Sequence, residues 1–308
     1  MKKASLTCCI ISIVACLILS ACGGSSGSYT YSGTNNSNST VVHESNELRF
    51  EEYEDGLMLV SHDHSILGED GTVVIPLEYE GKPVLAIGET AFANCTDVKN
   101  IIFPETLKEI KKQAFRGCNL LEKVVLPAGL LSIRSGAFMD CKALQEVELS
   151  YSLNTLEGES FMGCSSLASC TIPEGVTEIR GNTFDGCTAL KNIAMHDGII
   201  AIHGEAFRNC TALEQVVLPK NITEVRGNTF ENCSSLRSIE IPEGVTRIGG
   251  HAFYNCSSLA DVYIPSTVNE IGSSAFRMCN SLYSITVPEK AIINERAFKE
   301  SPTKISYK

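Results

Sequence analysis

A phenylalanine recurs every 23 residues over most of this chain, and no other feature constrains its fold as strongly. The recurring residues are Phe92, Phe115, Phe138, Phe161, Phe184, Phe207, Phe230, Phe253 and Phe276, followed after 22 residues by Phe298. A cysteine stands three residues after each of the first nine, from Cys95 to Cys279. A fixed period of about 20 to 50 residues is typical of a solenoid, whose repeats bury their apolar faces against one another. We therefore predict one repeat domain.

Each repeat contains a short stretch with the alternation of a strand. In one copy Leu236, Ile239 and Ile241 are apolar, and the last two alternate with polar neighbours, as a half-buried strand requires. Pro242 then ends the strand, because proline cannot continue a hydrogen-bonded ladder. These apolar residues are predicted to face the core.

The rest of the repeat predicts a second apolar contact and a corner. Val245 and Ile248 form a second apolar pair, and Gly249-Gly250 turns the chain toward Phe253. We predict a short helical or 3₁₀ segment at this corner, or a second short strand, with Phe253 as its large core residue. The stacked phenylalanines are predicted to be core and not a ligand platform.

The cysteines fall into three sets. Nine belong to the repeat, Cys170 occupies a strand position, and Cys8, Cys9, Cys16 and Cys22 lie near the beginning of the chain. A strict 23-residue spacing fits neither a zinc site of close pairs nor a small disulfide framework. We predict buried, packed thiols. Disulfides between rungs remain an alternative, since strands about 4.8 Å apart are near disulfide range.

Residues 1–21 resemble a bacterial lipoprotein signal peptide. Lys2 and Lys3 precede an apolar run of 14 residues, Leu6 to Leu19, which is too short to span a membrane as a helix. The run ends in Leu19-Ser20-Ala21-Cys22, which resembles the lipobox. That resemblance implies cleavage before Cys22 and lipid attachment to it. The alternative is an ordinary signal peptide that is cleaved elsewhere.

The following residues, 22–47, are predicted to form a flexible tether behind the lipidated Cys22. They are rich in Gly, Ser, Asn and Thr, so they cannot bury enough apolar surface to fold. A coil of this length has a root-mean-square reach of about 25–30 Å.

Residues 48–83 break the repeat and are predicted to be an N-terminal β cap. Leu57 to Val60 and Val73 to Ile75 read as strands, and Asp70-Gly71 lies between them as a turn signal. A cap covers the apolar end that the first rung would otherwise expose. His62-Asp63-His64 has the residue types of metal ligands but no further ligand in register, so it is predicted to be a solvated loop.

The repeat as a whole is similar to that of the BspA-like, Treponema pallidum-type leucine-rich repeat family. The similarity spans about residues 84–298 and rests on the spacing of Cys, Leu, Ile, Pro, Val, Ala and Phe described above. It implies a leucine-rich repeat solenoid of α/β type, with one short parallel strand per rung, and a role in adhesion or binding at the bacterial surface. Ser150 and His196 replace the expected proline, and Ser301 replaces the tenth cysteine. Residues 299–308 are predicted to be a C-terminal cap with a closing strand.

Charge and motifs argue against nucleic-acid binding and catalysis. The net charge is −11 and becomes −13 without residues 1–21, and no basic stripe occurs. No nucleophile elbow, phosphate-binding glycine loop or zinc-protease motif is present in the sequence. We therefore predict a protein that is not an enzyme and has no cofactor and no metal.

The outward strand positions are the predicted binding surface. Two such positions per rung run from Asn100 and Ile102 to Ser284 and Thr286, and they vary while the core positions stay constant. Ten rungs would extend this face to about 45–50 Å. The candidate ligand residues are Glu146, Glu148, Glu240, Asp261 and Tyr263. An ordinary solvated sheet is the alternative interpretation.

These inferences lead to two functional hypotheses. In the first, the chain is a lipid-anchored cell-surface protein that binds a macromolecular ligand, protein or glycan, for adhesion to a host or to other cells. In the second, it is a structural or sensory envelope component that binds a partner lipoprotein of its own cell.

Overall fold

The computed structural model describes residues 42–44, 48–62 and 66–308, and residues 40–308 form one compact unit. The predicted leader, Cys22, most of the predicted tether, Asp63 and His64 lie outside the described residues. The described part contains 24 β-strands. Among the same residues, no helix has the length and apolar character needed to cross a membrane.

Each 23-residue repeat forms one rung of a solenoid, and most rungs contain two short strands. The first strands of the rungs make up the first row: β4 Thr72–Val74, β7 Asn100–Ile102, β9 Lys123–Val125, β11 Glu146–Glu148, β13 Ser169–Thr171, β15 Asn192–Ala194, β18 Ser238–Glu240, β20 Asp261–Tyr263, β22 Ser284–Val287 and β24 Lys304–Tyr307. The second strands make up the second row: β6 Lys82–Ile87, β8 Glu109–Ile110, β10 Ser132–Ile133, β12 Thr155–Leu156, β14 Glu178–Ile179, β16 Ala201–Ile202, β17 Glu224–Val225, β19 Arg247–Ile248, β21 Glu270–Ile271 and β23 Ile292–Ile293.

Strands of neighbouring rungs pair in parallel, with residues 23 positions apart side by side. Ser169 pairs with Asn192 in the first row, and Glu178 pairs with Ala201 in the second. One predicted strand is wrong: residues 215–217 keep the inward and outward alternation of a strand but form no strand. The first row is therefore interrupted between β15 and β18, and strand pairing is also absent between β11 and β13 and between β20 and β22.

A column of stacked phenylalanine rings forms the centre of the core. The nine residues from Phe92 to Phe276 are fully buried, and Phe298 is half-buried at the end of the column. Successive ring centroids from Phe92 to Phe298 lie 5.1–5.7 Å apart, with interplanar angles of 1–16°. This offset stacking between rungs confirms the core assignment.

The repeat cysteines form a second column beside the rings. From Cys118 to Cys279, each thiol donates a hydrogen bond of 3.1–3.2 Å to the carbonyl oxygen of the phenylalanine 26 residues earlier. All ten cysteines of the described part, Cys170 included, are buried and free. Burial raises the pKa of Cys95 and of Cys170 to about 12. The prediction of packed thiols is confirmed.

The corner that carries the phenylalanine is a series of turns and not a helix, so the helical prediction for this segment is wrong. The Phe253 amide donates to the Ala275 carbonyl of the next rung at 2.8 Å, instead of to a carbonyl four residues earlier. His251 and Asn255 adopt left-handed φ angles of 59° and 57°, which interrupt any helix. Hydrogen bonds between rungs therefore replace those of a helix. The predicted second strand is present as the second row.

The N-terminal cap is a three-stranded antiparallel sheet that continues into the second row. Its strands are β1 Val42–Glu44, β2 Leu48–Tyr53 and β3 Gly56–His62, and the short β5 Glu78–Tyr79 pairs antiparallel with β6. β1, β2 and β3 pair antiparallel, and β3 then pairs in parallel with β6. The two strands that the sequence predicts, β3 and β4, are confirmed. β1 lies within the range predicted as tether, so ordered structure begins before residue 48.

His62 covers the first ring of the phenylalanine column, and its predicted place in a solvated loop is wrong. Its ring stacks on Phe92 with a centroid distance of 4.4 Å. Its Nδ1 lies 2.9 Å from the Ala91 carbonyl oxygen, and its Nε2 lies 3.2 Å from the Cys95 thiol. An imidazole can stack on an aromatic face and also bond to polar atoms, so His62 serves as the end cap of the column.

A buried carboxylate fixes the cap to the rungs. Glu109 accepts hydrogen bonds from Tyr53 of the cap at 2.5 Å and from Arg134, and it forms an ion pair of 2.7 Å with Lys111. Burial alone would raise the pKa of Glu109, but the hydrogen bonds from Lys111, Tyr53 and Arg134 outweigh burial and lower it to about 2. The charged form of Glu109 is therefore part of the fold.

The three departures from the repeat are accommodated by side-chain hydrogen bonds. Ser150 donates to the Ala128 carbonyl at 2.7 Å, and the His196 Nε2 lies 3.0 Å from the Pro173 carbonyl oxygen. The strands that precede Ser150 and His196 are β11 and β15, and each has three residues, as most first-row strands do. Ser301 donates to a phenylalanine carbonyl as the cysteines do. The predicted closing strand is confirmed as β24, which pairs in parallel with β22.

Candidate functional site

The outward side chains of the first row make up a surface that we call the strand face. In most first-row strands the two outer residues are exposed and the middle residue is buried. Equivalent positions recur one rung apart, about 4.8 Å along the stack. The core stays constant from rung to rung, so chemical variety between rungs is concentrated at the surface.

Two of the predicted ligand residues lie on β11. Glu146 is paired in register with Lys123 on β9, and their side chains form an exposed ion pair of 3.0 Å. The Glu146 carboxylate therefore already has a cation beside it. Glu148 lies opposite Val125 and forms no ion pair among the described residues.

The other three predicted ligand residues lie together on β18 and β20. Asp261 is in register with Ser238, and Tyr263 is in register with Glu240. This group is four rungs from β11, which corresponds to about 20 Å along the stack. The five predicted residues therefore form two separate groups, with Glu240, Asp261 and Tyr263 in one of them.

Tyr263 is held on two sides by other side chains. Its hydroxyl donates to Glu243 at 3.0 Å, and the Lys308 ammonium lies 4.6 Å from the centroid of its ring. The hydrogen bond to Glu243 raises the pKa of Tyr263. The tyrosine is thus fixed in place, and one face of its ring is occupied.

A surface recess surrounds this group, and we call it the strand-face recess. One part, of about 690 Å³, is lined by Glu240, Asp261, Tyr263 and Lys308. An adjoining part, of about 570 Å³, shares Glu240 and extends to Val217. The recess crosses the point where the first row is interrupted, so it joins an apolar end near Val217 to an acidic end near Asp261.

Comparison with known proteins identifies the repeat. The family model described as BspA type leucine-rich repeat region matches residues 80–191 and 177–304, with six copies. The chain belongs to this family. Its BspA-type repeats account for most of the described residues. Comparison with curated proteins gives no match.

Solved structures of bacterial leucine-rich repeat proteins have the same fold. A leucine-rich cell surface protein of Faecalibacterium prausnitzii is 24% identical, with a TM-score of 0.56 over 86% of this chain and 87% of that chain. A leucine-rich repeat protein of Bacteroides ovatus is 23% identical, with a TM-score of 0.57 over 85% and 89%. The Treponema pallidum leucine-rich repeat protein is 26% identical, with a TM-score of 0.51 over 70% and 90%.

Sequence reasoning missed part of the recess in these BspA-type repeats. Glu243 and Lys308 were not expected beside Tyr263, and Lys308 is 45 residues away in the sequence, so no local pattern indicates the contact. Val217 is at one of the predicted outward positions, but the sequence does not mark it as part of a site. An apolar residue at an outward position was the signal that could have found it.

The second row of the BspA-type rungs carries charged side chains that neutralise one another in ion pairs. A groove of about 510 Å³ there is lined by Arg134, Glu157, Glu178 and Arg180. Arg134 is 3.0 Å from Glu157, and Arg180 is 3.3 Å from Glu178. Because these charges are paired, this groove offers a ligand less free charge than the strand face does.

Within residues 48–62 and 66–308, no three His, Cys, Asp or Glu side chains come together as a metal site. His196 and His203 contact different carboxylates, Glu174 and Glu178 respectively. Leucine-rich repeat solenoids are generally interaction scaffolds, and the arrangement of the BspA-type rungs presents an extended surface and not an enclosed reaction centre.

Proposed function

We propose that this chain is a lipid-anchored cell-surface protein that binds a macromolecular ligand through its strand face. The observation that carries the proposal is the contrast between a constant interior and an exposed first row whose outward residues differ from rung to rung. A repeat protein can change such a face without loss of stability, because each rung is held by its neighbours.

The anchoring part of the proposal rests on the sequence of residues 1–22. Cleavage before Cys22 would remove residues 1–21, and lipid on Cys22 would hold the protein at a membrane without a spanning helix. Residues that follow Cys22 would act as the tether, residues 48–83 as the cap, 84–298 as the ligand-binding solenoid and 299–308 as the closing cap.

A second candidate is a structural or sensory envelope component that binds a partner lipoprotein of its own cell. The same exposed strand face supports this function, because its chemistry does not distinguish a host protein from an envelope protein. In both cases the ligand is a macromolecule, since a first row of ten strands extends over more than the length of a small molecule.

The test is a comparative capture experiment with the full chain, purified in detergent and immobilised. Solubilised surface fractions of host cells and of the producing bacterium are passed over it, and bound proteins and glycans are identified. We expect saturable capture of a component from host or foreign cells. Capture only from the bacterium's own fraction would contradict the adhesive function and favour the second candidate. Capture from neither would contradict both.

A further inference from the structure

Two carboxylates in the strand-face recess have neither an ion pair nor a side-chain hydrogen bond among the described residues. These are Glu240 and Asp261, both on the exposed side of the first row. Two lysines line the recess. Lys220 forms an ion pair of 3.0 Å with Asp197, and Lys308 lies over the Tyr263 ring. The recess therefore has a net negative charge, because Lys308, its one cation without an ion pair among the described lining residues, faces three carboxylates without ion pairs, Glu240, Glu243 and Asp261.

The other end of the recess presents apolar surface. Val217 is 81% exposed, more than any other large apolar side chain in the described part of the chain. Leu218 and Pro242 line the same part of the recess. Apolar contact of this kind suits the aliphatic stem of a lysine or arginine, whose charged end can reach a nearby carboxylate.

The state of Tyr263 favours a polypeptide ligand over a sugar. The Lys308 ammonium lies on one face of Tyr263 and the hydroxyl is bonded to Glu243, so at most one face of the ring is available for a sugar ring to stack on. The free groups of the recess are instead Glu240 and Asp261 together with the apolar Val217. Cationic side chains with aliphatic stems match all of these groups.

The positions of the carboxylates indicate the form of the ligand. Glu240 and Asp261 are diagonal neighbours on adjacent strands, because Asp261 pairs with Ser238, two residues before Glu240. Diagonal neighbours in a sheet are about 7–8 Å apart. Alternate side chains of an extended peptide are about 6.5–7 Å apart. A segment with cationic residues at every second position can therefore reach both carboxylates.

We propose that the strand-face recess binds an extended basic segment of a protein partner, with Glu240 and Asp261 receiving alternate cationic side chains and Val217 contacting an aliphatic stem. This inference rests on the proposed function, and it specifies the chemistry of the ligand.

The test measures fluorescence anisotropy of a labelled peptide with the sequence Lys-Thr-Lys-Thr-Lys-Thr-Lys, titrated with the full chain in detergent. We expect the double variant Glu240→Gln, Asp261→Asn to weaken binding about fivefold, since two exposed charge pairs are lost. Val217→Ser should weaken it about threefold through loss of apolar contact. All three side chains are exposed, so circular dichroism and the melting temperature should stay as in the wild type.

The matched control is the double variant Glu105→Gln, Glu122→Gln, which removes the same charge from two exposed positions about five or six rungs away. The affinity of the control variant for the peptide should stay within about twofold of the wild type, because salt screens the interaction between distant exposed charges. A peptide of the same composition with its four lysines in a row should bind more weakly than the alternating one. Equal weakening by the control variant, equal binding of both peptides, or no binding at all would overturn the proposal.

The test also separates this inference from the function on which it rests. If a captured surface component binds the recess variants as tightly as the wild type, the recess proposal is overturned while surface binding stands. If the peptide binds as expected but no surface fraction yields a ligand, the recess proposal stands and the proposed function falls. Cellohexaose is titrated against the same variants as a glycan probe. If the recess variants lose binding to cellohexaose but keep binding to the peptide, the polypeptide assignment is overturned.

Discussion

The Ser301 hydroxyl donates a hydrogen bond of 2.6 Å to the Phe276 carbonyl oxygen, at the position where each preceding rung has a cysteine. The Cys279 thiol makes the equivalent bond to Phe253 at 3.2 Å. Serine and cysteine share a donor group of similar size on the same carbon. What this position requires is therefore a small donor that joins one rung to the previous one, and the thiol is one way to supply it.

Substitutions at Cys187 test this requirement. Its thiol donates to the Phe161 carbonyl at 3.2 Å inside a fully buried column. Cys187→Val removes the donor and adds a methyl group to a packed interior, which should cost about 1–3 kcal/mol of unfolding free energy. Cys187→Ser keeps a donor and should cost less than the valine variant. Guanidinium unfolding measures both, and a valine variant at least as stable as the serine variant would contradict the role of the bond.

The column of free thiols should be unreactive in the folded protein. Burial raises the pKa of each thiol with a resolved shift, to about 12 for Cys279. The mature protein should therefore show no fast reaction with Ellman's reagent at pH 8, and the ten repeat and strand cysteines should react together in guanidinium. Omitting a reductant during purification should not change the result. Fast labelling of the native protein, or disulfides recovered by mass spectrometry, would contradict the packed-thiol column.

Glu109 should make stability depend on acid pH. Its folded pKa of about 2 lies below the ordinary value of 4.5, so the stabilisation is fully present above pH 4.5 and is lost as the pH falls toward 2. The loss should be on the order of 3 kcal/mol. We expect Glu109→Gln to lower stability at pH 7 and to flatten the decline between pH 4.5 and 2. Glu122→Gln, at an exposed position, is the control, and an equal pH profile for wild type and Glu109→Gln would refute the assignment.

Cys22 should be required for membrane attachment. Cys22→Ala removes the acceptor for the lipid, so the variant should remain as uncleaved precursor or partition into the aqueous phase of a Triton X-114 separation. The wild type should partition into the detergent phase and incorporate labelled palmitate. Cys16→Ala is the matched control, because it lies in the apolar run before the cleavage position. Unchanged detergent partitioning and labelling of the Cys22→Ala protein would contradict lipid anchoring.

The parts of the fold that repeat could be predicted from the sequence. The 23-residue period alone indicates that Phe184 and Cys187 are interior, because a residue type that recurs in every rung occupies the same place in the stack. Alternation within each repeat gives the strand and its outward positions, including Glu240 and Asp261. These signals are local and recur in nearly every rung.

The parts that depend on contacts between distant segments could not be predicted. The turns around Phe253 replace a helix because their amides bond to the next rung, which no local propensity reveals. His62 stacks on Phe92 because it happens to lie one rung before the first repeat. The contact of Lys308 with Tyr263 joins residues far apart in sequence. The candidate site was therefore predictable as a surface, but not as a recess with paired and unpaired charges.

The central claim is that the interior of the rungs is fixed and their outward face is free to vary, and unfolding free energies of two variants test it most directly. Phe184→Ala removes a fully buried ring from the column and should cost about 3–5 kcal/mol. The double variant Glu240→Gln, Asp261→Asn changes only exposed side chains and should stay within about 0.5 kcal/mol of the wild type. A loss near zero for Phe184→Ala, or a comparable loss for the strand-face variant, would contradict the account.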